Sequence, residues 1–209
     1  MKILHIIASP RGDKSKTQHI ATDFLSSLQQ CNAAVEIDTL DLFGIELPEV
    51  MADTVDLKYT LIGGGELDEA AQARWNLISA YALSFLEYDM YVLSCPMWNF
   101  SVPYRLKQYI DIIMQPGILF RFTAQGVEGL ALNKKMFCIT ARGSDYSKDT
   151  YLHQFDFQEP YLRAIFGMAG IYDISFIHAQ PMDYMAEIAQ QQFKKAKAEA
   201  MSMALSYAV

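Results

Sequence analysis

Five short apolar runs alternate with stretches of helical periodicity along the chain, an arrangement that few folds can accommodate. The runs are rich in β-branched and aliphatic residues, as in strands that are buried on both faces. They cover residues 2–8, 34–40, 89–95, 135–140 and 172–179. Strands that alternate with helices predict an α/β fold, in which a parallel sheet carries helices on both faces.

The number of strands narrows the topology further. Five strands and about five helices favour the flavodoxin-like order 2-1-3-4-5 over the six-stranded dinucleotide-binding sheet. Helices are predicted at residues 17–30, 67–87, 103–114, 160–168 and 182–207, whereas residues 44–66 form a surface excursion or a loop with a short helix. The sequence shows no repeat or linker, so we expect one three-layer domain over residues 1–209.

Composition and charge exclude several classes of protein. Hydrophobic residues make up 52% of the chain and charged residues 20%, which is typical of a globular protein. The net charge of -7 argues against a nucleic-acid partner or an acidic membrane. No apolar run is long enough to span a bilayer and no signal peptide is recognisable, so we expect a cytoplasmic protein. The cysteines and histidines lack metal-binding spacing, so no metal site is expected.

An unusual aromatic run, Pro96-Met97-Trp98-Asn99-Phe100, follows the third strand. Proline has no N–H to donate to a sheet, so Pro96 is predicted to end that strand. The run then lies at the carboxyl end of a parallel strand, where open α/β sheets bind ligands. Its aromatic faces, backbone amides and carboxamide suit a flat heterocycle with polar edges. The alternative is a buried aromatic corner that packs a helix onto the sheet, and the run alone does not decide between them.

The loop after the first strand has features of an anion site. Ser15 and Gln18 match the S-x-x-Q capping box at a helix start, where free backbone amides and the helix dipole attract phosphate. Ser9 and Thr17 add hydroxyl groups and Lys16 adds a positive charge. The alternative is a plain N-capped helix. Both the GK[ST] of a P-loop and the GxGxxG of a dinucleotide site are missing.

The loop after the fourth strand begins Thr140-Ala141-Arg142-Gly143-Ser144. Gly143 permits close backbone approach or a positive φ, although an ordinary turn would explain it equally well. In the predicted topology the loops after strands one, three and four meet at one edge of the sheet. Together they predict a single site for a planar ligand that carries a phosphate.

A further segment, residues 118–130, is predicted to form a β-hairpin. Phe120 and Phe122 alternate with polar neighbours before a glycine turn. The hairpin would lie outside the five-stranded core, where insertions often form lids or subunit contacts.

The chain resembles the bacterial FMN-dependent NADH azoreductases and quinone reductases, a family once described as acyl-carrier-protein phosphodiesterases. The resemblance runs along nearly the whole chain and rests on the order and spacing of a few segments. They are P-M-W-N-F-S-V-P at 96–103, L-K-x-Y-I-D at 106–111, G-x-x-F-R-F-T at 117–123, G-x-x-G-L at 126–130 and T-A-R-G at 140–143.

This resemblance implies bound FMN, NADH or NADPH as the electron donor, and a quinone or azo compound as the acceptor. The reaction would be a ping-pong transfer of two electrons, as a hydride, through the flavin. Because the cofactor carries the chemistry, no catalytic acid or base is nominated. The family also forms homodimers in which the partner subunit completes each pocket.

The resemblance also assigns individual residues to FMN. The phosphate would be held by Ser9, Ser15, Lys16 and Thr17, one edge and face of the ring by Pro96, Met97, Trp98, Asn99 and Phe100, and its pyrimidine side by Ala141, Arg142, Gly143 and Ser144. Trp98 and Phe120 would line the substrate pocket. Trp98 stands where the family more often has Tyr, and the loop at residues 144–159 is longer than usual, which leaves the preferred acceptor open.

A flavodoxin-type electron carrier without NAD(P)H oxidoreductase activity is the alternative from another class. The hairpin and the aromatic loops argue against it, because a carrier keeps its flavin edge open. A receiver domain is disfavoured, since Ala8-Ser9 and Cys95-Pro96 occupy positions where that fold needs acidic residues. A hydrolase is disfavoured because neither Ser9 nor Ser15 has an evident histidine partner.

Overall fold

The computed structural model of the chain describes residues 1–207, and its strands are numbered in chain order. They are β1 (Lys2–Ile7), β2 (Glu36–Asp41), β3 (Met90–Pro96), β4 (Phe120–Thr123), β5 (Gly126–Gly129), β6 (Lys135–Ala141) and β7 (Asp173–Ala179). Five of them form one parallel sheet in the order β2-β1-β3-β6-β7. This is the predicted order 2-1-3-4-5 once the two strands of the hairpin are left out of the count.

The sheet lies between two helical layers. The helices are α1 (Lys16–Cys31), α2 (Ala52–Ile62), α3 (Glu69–Phe85), α4 (Tyr104–Ile113), α5 (Gln158–Met168) and α6 (Ala186–Tyr207). One apolar cluster joins the sheet to α3, α4 and α5, and a second joins its other face to α1 and α6. Residues of β6 show why the strands read as continuous apolar runs: Met136 and Cys138 enter the first cluster, while Phe137 and Ile139 enter the second.

Strand β3 ends at Pro96, one residue later than predicted. Pro96 is the last residue of the strand and pairs with Ala141 of β6. Pro96 is tolerated here because the hydrogen bond to the Ala141 carbonyl comes from the Met97 amide, at 3.0 Å. The pairing therefore does not require an N–H from residue 96. Residues 44–66 include an eleven-residue helix, α2, which buries only Leu57.

The predicted hairpin is present as a separate sheet. Strands β4 and β5 pair in antiparallel fashion from Phe120–Gly129 to Thr123–Gly126. Its base packs tightly on the end of α5, since a Cβ at Gly129 would lie 2.2 Å from the Gly170 nitrogen. Within residues 1–207, none of the helices has the length and apolar character needed to cross a membrane.

Candidate functional site

A cavity of about 200 Å³ lies at the edge of the sheet where β1, β3 and β6 end. Its walls come from the three predicted loops and from the segment after β7. The lining residues are Ser9, Arg11, Ser15, Lys16, Thr17, Pro96, Met97, Trp98, Ala141, Arg142, Gly143, Met182 and Asp183. The parallel topology therefore brings together segments that are more than 160 residues apart in the sequence.

The start of α1 forms one end of this cavity. Ser15 is the N-cap residue, and its hydroxyl accepts a hydrogen bond from the Gln18 amide at 3.4 Å. The hydroxyls of Ser15 and Thr17 lie 3.1 Å apart, and both residues are buried, as is Ser9. A cluster of hydroxyls beside the first turn of a helix is a favourable environment for phosphate oxygens.

The predicted capping box is only half formed. The Ser15 side chain caps the helix, but the Ser15 amide donates to the carbonyl of Gly12 rather than to the Gln18 side chain. The Gln18 Oε1 atom is buried and has no hydrogen-bond partner among residues 1–207. The short 3₁₀ turn at Gly12–Lys14 explains the difference, because it supplies the acceptor that Gln18 would otherwise provide.

A buried polar chain supports the start of α1 from below. The imidazole Nε2 of His5 lies 2.8 Å from the Ser94 hydroxyl, which donates to the Thr17 carbonyl at 3.4 Å. Burial lowers the pKa of His5 from 6.5 to about 4, so the ring is neutral at neutral pH. These contacts join β1, β3 and α1 directly beneath the hydroxyl cluster.

The aromatic run forms a tight turn beside the cavity. Trp98 and Ser101 exchange backbone hydrogen bonds of 3.0 and 2.9 Å, and the two residues between them, Asn99 and Phe100, have positive φ angles of 46° and 68°. Two central residues with positive φ are typical of a type I′ turn. Asn tolerates this conformation well, but for Phe100 it costs about 1 kcal/mol or more. Such strain persists only where the contacts around a residue hold it in place.

Aromatic side chains surround this turn on both sides. Trp98 is 36% exposed and packs against Phe43 at 5.9 Å and Tyr104 at 6.4 Å between ring centroids. Phe100 packs on the other side against Phe155 at 5.5 Å. Trp98 also borders a second cavity, of about 650 Å³, whose other lining residues are Val50, Asn99, Ser101, Val102, Tyr104, Lys107, Gln108 and Asp111.

The opposite wall depends on close packing at Gly143. The Gly143 carbonyl accepts hydrogen bonds from the amides of Met182 and Asp183, at 3.1 and 2.9 Å. A Cβ at Gly143 would lie 2.6 Å from the Asp183 carboxylate, which is the end of a flexible side chain and would have to shift. Gly143 does not have a positive φ, and glycine here permits the close contact with Asp183.

Arg142 lines the cavity, but its guanidinium group points into the protein. It is 1% exposed, and Nη1 donates to the Asp156 carboxylate at 2.9 Å while Nε donates to the Gln158 side chain at 3.2 Å. Burial lowers the pKa of the Arg142 guanidinium, and the charge of Asp156 opposes that effect. The positive charge of Arg142 is thus already paired within the protein.

The cavity includes most, but not all, of the predicted FMN-binding residues. Asn99 borders the second cavity instead, and Phe100 and Ser144 line neither cavity. Sequence reasoning overlooked Met182 and Asp183 as site residues. The signal was the Gln180-Pro181 pair directly after β7, which marks a fourth loop at the carboxyl edge of the sheet.

Phe120, predicted to line the substrate pocket, lies away from both cavities of the single chain. It is 6% exposed, belongs to the apolar cluster on the α3–α5 face, and borders neither cavity around Trp98. Phe122, two residues later, is 65% exposed and meets Phe120 edge-on at 5.6 Å. Phe120 pairs with Gly129 at the open end of the hairpin and packs into the core, whereas Phe122 lies nearer the turn and remains accessible.

Cys95 lies directly beneath the site and does not supply a nucleophile. Burial raises the pKa of its thiol to about 12, so it is protonated at any physiological pH. Across residues 1–207, no three His, Cys, Asp or Glu side chains are grouped so as to hold a metal ion. The cavity offers hydroxyls, backbone amides, an aromatic edge and the charged side chains of Arg11, Lys16 and Asp183.

Comparison with known proteins gives consistent relatives. A family model described as a flavodoxin-like fold matches residues 1–203. An FMN-dependent NADH:quinone oxidoreductase of Nitratidesulfovibrio vulgaris strain DP4 is 36% identical over 206 residues, which cover 98% of this chain and 99% of the relative. FMN-dependent NADH:quinone oxidoreductase 3 of Pseudomonas fluorescens is 40% identical over 173 residues, covering 81% of this chain and 80% of the relative.

Solved structures show the same similarity. An azoreductase from Bacillus anthracis strain Sterne superposes with a TM-score of 0.88 at 25% identity, covering 98% of both chains. An FMN-dependent NADH-azoreductase from Bacillus anthracis, solved in complex with FMN, superposes with a TM-score of 0.83 at 27% identity, covering 97% of this chain and 99% of the other.

Proposed function

This chain belongs to the flavodoxin-like family of FMN-dependent NADH:quinone oxidoreductases, and we propose that it binds FMN and transfers two electrons from NADH or NADPH to a quinone or azo acceptor. The observation that carries this proposal is the meeting of a buried hydroxyl cluster, an aromatic edge and a glycine wall around one cavity. These three features match the phosphate, the ring and the pyrimidine side of FMN.

The residues of the cavity fit FMN in chemical character. Ser9, Ser15 and Thr17 can donate to the phosphate at the start of α1, where the helix dipole favours negative charge. Lys16 adds a positive charge, held near the cavity by a 3.4 Å contact from Nζ to the Met182 carbonyl. These groups account for a dianionic phosphate in a protein whose net charge is -7.

The other end of the cavity suits the ring. Met97 and Trp98 offer backbone and aromatic surface along one edge, while Gly143 lines the wall proposed for the pyrimidine side. Bound FMN supplies the redox chemistry, since it can take a hydride from a nicotinamide and pass two electrons to an acceptor. The chain's own contribution is to bind, orient and desolvate, and the residues lining the cavity match that role.

The acceptor is proposed to bind beside Trp98, which borders both the first and the second cavity. A Trp at this position presents a larger stacking surface than Tyr and a single N–H donor. Phe122 of the hairpin is exposed, and we propose that it reaches the pocket of a partner subunit in a homodimer. An exposed aromatic side chain on an inserted hairpin supports that arrangement.

Two broader assignments accompany this function. We propose that residues 1–209 form one domain, which the single five-stranded sheet and the family match support. We also propose a cytoplasmic location, which the three free cysteines support, because reduced thiols are typical of that compartment.

Absorption spectroscopy tests the proposed function directly. Purified protein incubated with FMN and desalted should retain the flavin absorption bands, anaerobic NADH should bleach them, and a naphthoquinone should restore them. A protein that takes up no FMN contradicts the proposal. Retained FMN that neither NADH nor NADPH can reduce would instead favour the electron carrier.

A matched pair of threonine variants tests the proposed phosphate contacts. Thr17→Val removes a buried hydroxyl of the cavity, whereas Thr22→Val removes an exposed hydroxyl that bonds the Gln18 carbonyl on the same helix. Loss of a hydrogen bond to a charged phosphate should weaken FMN binding about tenfold in Thr17→Val and leave it nearly unchanged in Thr22→Val. Equal FMN dissociation constants in the two variants would refute the assignment of Thr17.

A further inference from the structure

Gln158, the first residue of α5, bridges two of the loops that form the cavity. It is fully buried, and its amide Nε2 donates to the Pro96 carbonyl at 3.0 Å and to the Cys95 carbonyl at 3.3 Å. Its Oε1 accepts from Nε of Arg142 at 3.2 Å. One side chain thus connects the end of β3 to the residue that follows β6.

Asp156 fixes the position of Gln158. One of its carboxylate oxygens pairs with Arg142 Nη1 at 2.9 Å, and the other accepts from the backbone amides of Gln158 and Glu159 at 3.0 and 3.2 Å. Asp156 therefore caps the start of α5 and ties it to Arg142 at the same time. The bridge is anchored through both its backbone and its side chain.

The same segment also holds the strained turn. The Phe157 amide donates to the Phe100 carbonyl at 3.0 Å, and the Phe155 ring packs against the Phe100 ring. The sheet itself gives no such support, because the bond from the Met97 amide to the Ala141 carbonyl lies at the very end of the β3–β6 pairing. Beyond that point, residues 156–158 provide contacts to both loops.

We propose that Gln158 is a positioning residue for the cofactor cavity, since it holds the Pro96–Phe100 loop at a set distance from the Arg142–Gly143 loop. The inference rests on the proposed FMN site. Without Gln158, the Cys95 and Pro96 carbonyls would lose their amide donor and Arg142 Nε its acceptor, and the two loops would move to satisfy them. In the protein without FMN, the two loops that are proposed to contact the ring would then be less ordered.

Gln158→Met tests this role, with Gln115→Met as a matched control. Gln115 is also buried, and its Nε2 also donates to two backbone carbonyls, those of Asp111 and Ile112 at 3.0 and 2.8 Å, but it lines neither cavity. Both variants keep side-chain length and remove two hydrogen bonds from Nε2 to backbone carbonyls, and Gln158→Met also removes the acceptor of Arg142 Nε. We expect the FMN dissociation constant to rise about tenfold in Gln158→Met and less than about twofold in Gln115→Met.

Hydrogen exchange of the apoproteins provides a second measurement that does not involve FMN. Backbone amides at residues 97–101 and 142–144 should exchange faster in Gln158→Met than in wild type, and at the wild-type rate in Gln115→Met. Equal effects of the two variants on both FMN affinity and exchange would show a general loss of stability and overturn the proposal. No effect of Gln158→Met on either measurement would overturn it too.

The two proposals fail in different ways. If wild-type protein does not bind FMN, the proposed function is refuted, and the exchange measurement alone decides whether Gln158 couples the loops. If Gln158→Met shows no cooperative melting transition, Gln158→Glu replaces it, because Glu keeps the side-chain length and the acceptor for Arg142 but as a carboxylate cannot donate to Pro96. The same outcomes then support or overturn the proposal.

Discussion

Acidification should act on this protein first through His5, which lies beneath the start of α1. Its ring is buried and hydrogen-bonded to Ser94, which in turn contacts the Thr17 carbonyl. A protonated imidazole at this position would lack water and a carboxylate partner in this chain of contacts. Protonation should therefore be tied to unfolding rather than tolerated in the folded state.

The pKa values give the size and direction of this effect. The pKa of His5 is about 4 in the folded protein because burial lowers it, whereas an unfolded chain has the ordinary value of 6.5. Between pH 6.5 and about pH 4, His5 binds a proton in the unfolded chain but not in the folded protein. The contribution of neutral His5 to the free energy of unfolding is therefore fully present above pH 6.5 and decreases as the pH falls through this window. The loss should be about 2 kcal/mol at pH 5 and about 3 kcal/mol below pH 4.

Urea unfolding at pH 7, 6 and 5 measures this loss, with His5→Gln as the test variant and His19→Gln as the control. His19 is exposed on α1, so its variant should lose about 2 kcal/mol between pH 7 and pH 5 like wild type, whereas His5→Gln should lose less than about 0.5 kcal/mol. Hydrogen bonds from His178 and Arg163 lower the pKa of Glu159 from 4.5 to about 2. The contribution of Glu159 to the free energy of unfolding is therefore lost only below pH 4.5, outside the range of this experiment. A loss in His5→Gln as large as that in wild type would refute the reasoning.

Substitutions at four positions test other parts of the site. Phe100→Gly should be more stable to urea than Phe100→Ala by about 1 kcal/mol, because both lack the ring but only glycine adopts a positive φ without strain; the reverse order would show an unstrained turn. Ser15→Ala should lower the free energy of unfolding by about 1 kcal/mol through loss of the α1 cap, and an unchanged value would contradict that. Asp156→Asn should cost about 3 kcal/mol by leaving Arg142 as an unpaired buried charge, whereas a thermal melt like that of wild type would show that Arg142 finds another partner. Trp98→Tyr should raise kcat/KM for a bulky azo acceptor about tenfold relative to a small quinone, and an unchanged ratio would remove Trp98 from the acceptor pocket.

Local patterns in the sequence predict the sheet and the position of the site. Buried strands and the Ser15 cap each depend on residues close in sequence, so they can be recognised without knowledge of the fold. Parallel topology then determines that the loops after β1, β3 and β6 meet at one edge, because all carboxyl ends of the strands point the same way. The location of the cavity follows from these two steps.

The direction of individual side chains could not be predicted in the same way. Phe120 and Phe122 lie two residues apart and so share one face of β4, but the pattern does not say which of the two is covered by the core. The positive φ of Phe100 is equally hidden, because an aromatic residue gives no sign of the left-handed conformation that Asn99 suggests. Both features depend on contacts made by distant parts of the chain.

Arg142 shows most clearly where reasoning from motifs ends. The Thr140-Ala141-Arg142-Gly143 segment correctly predicts a loop beside the cavity, yet the guanidinium group is bound to Asp156 and Gln158, fourteen and sixteen residues later. A motif therefore identifies the backbone that faces a ligand, while the side chains that hold this backbone in place come from a segment that carries no motif. For this chain that segment is residues 156–158, and its effect on the cavity depends on pairings that only the folded structure reveals.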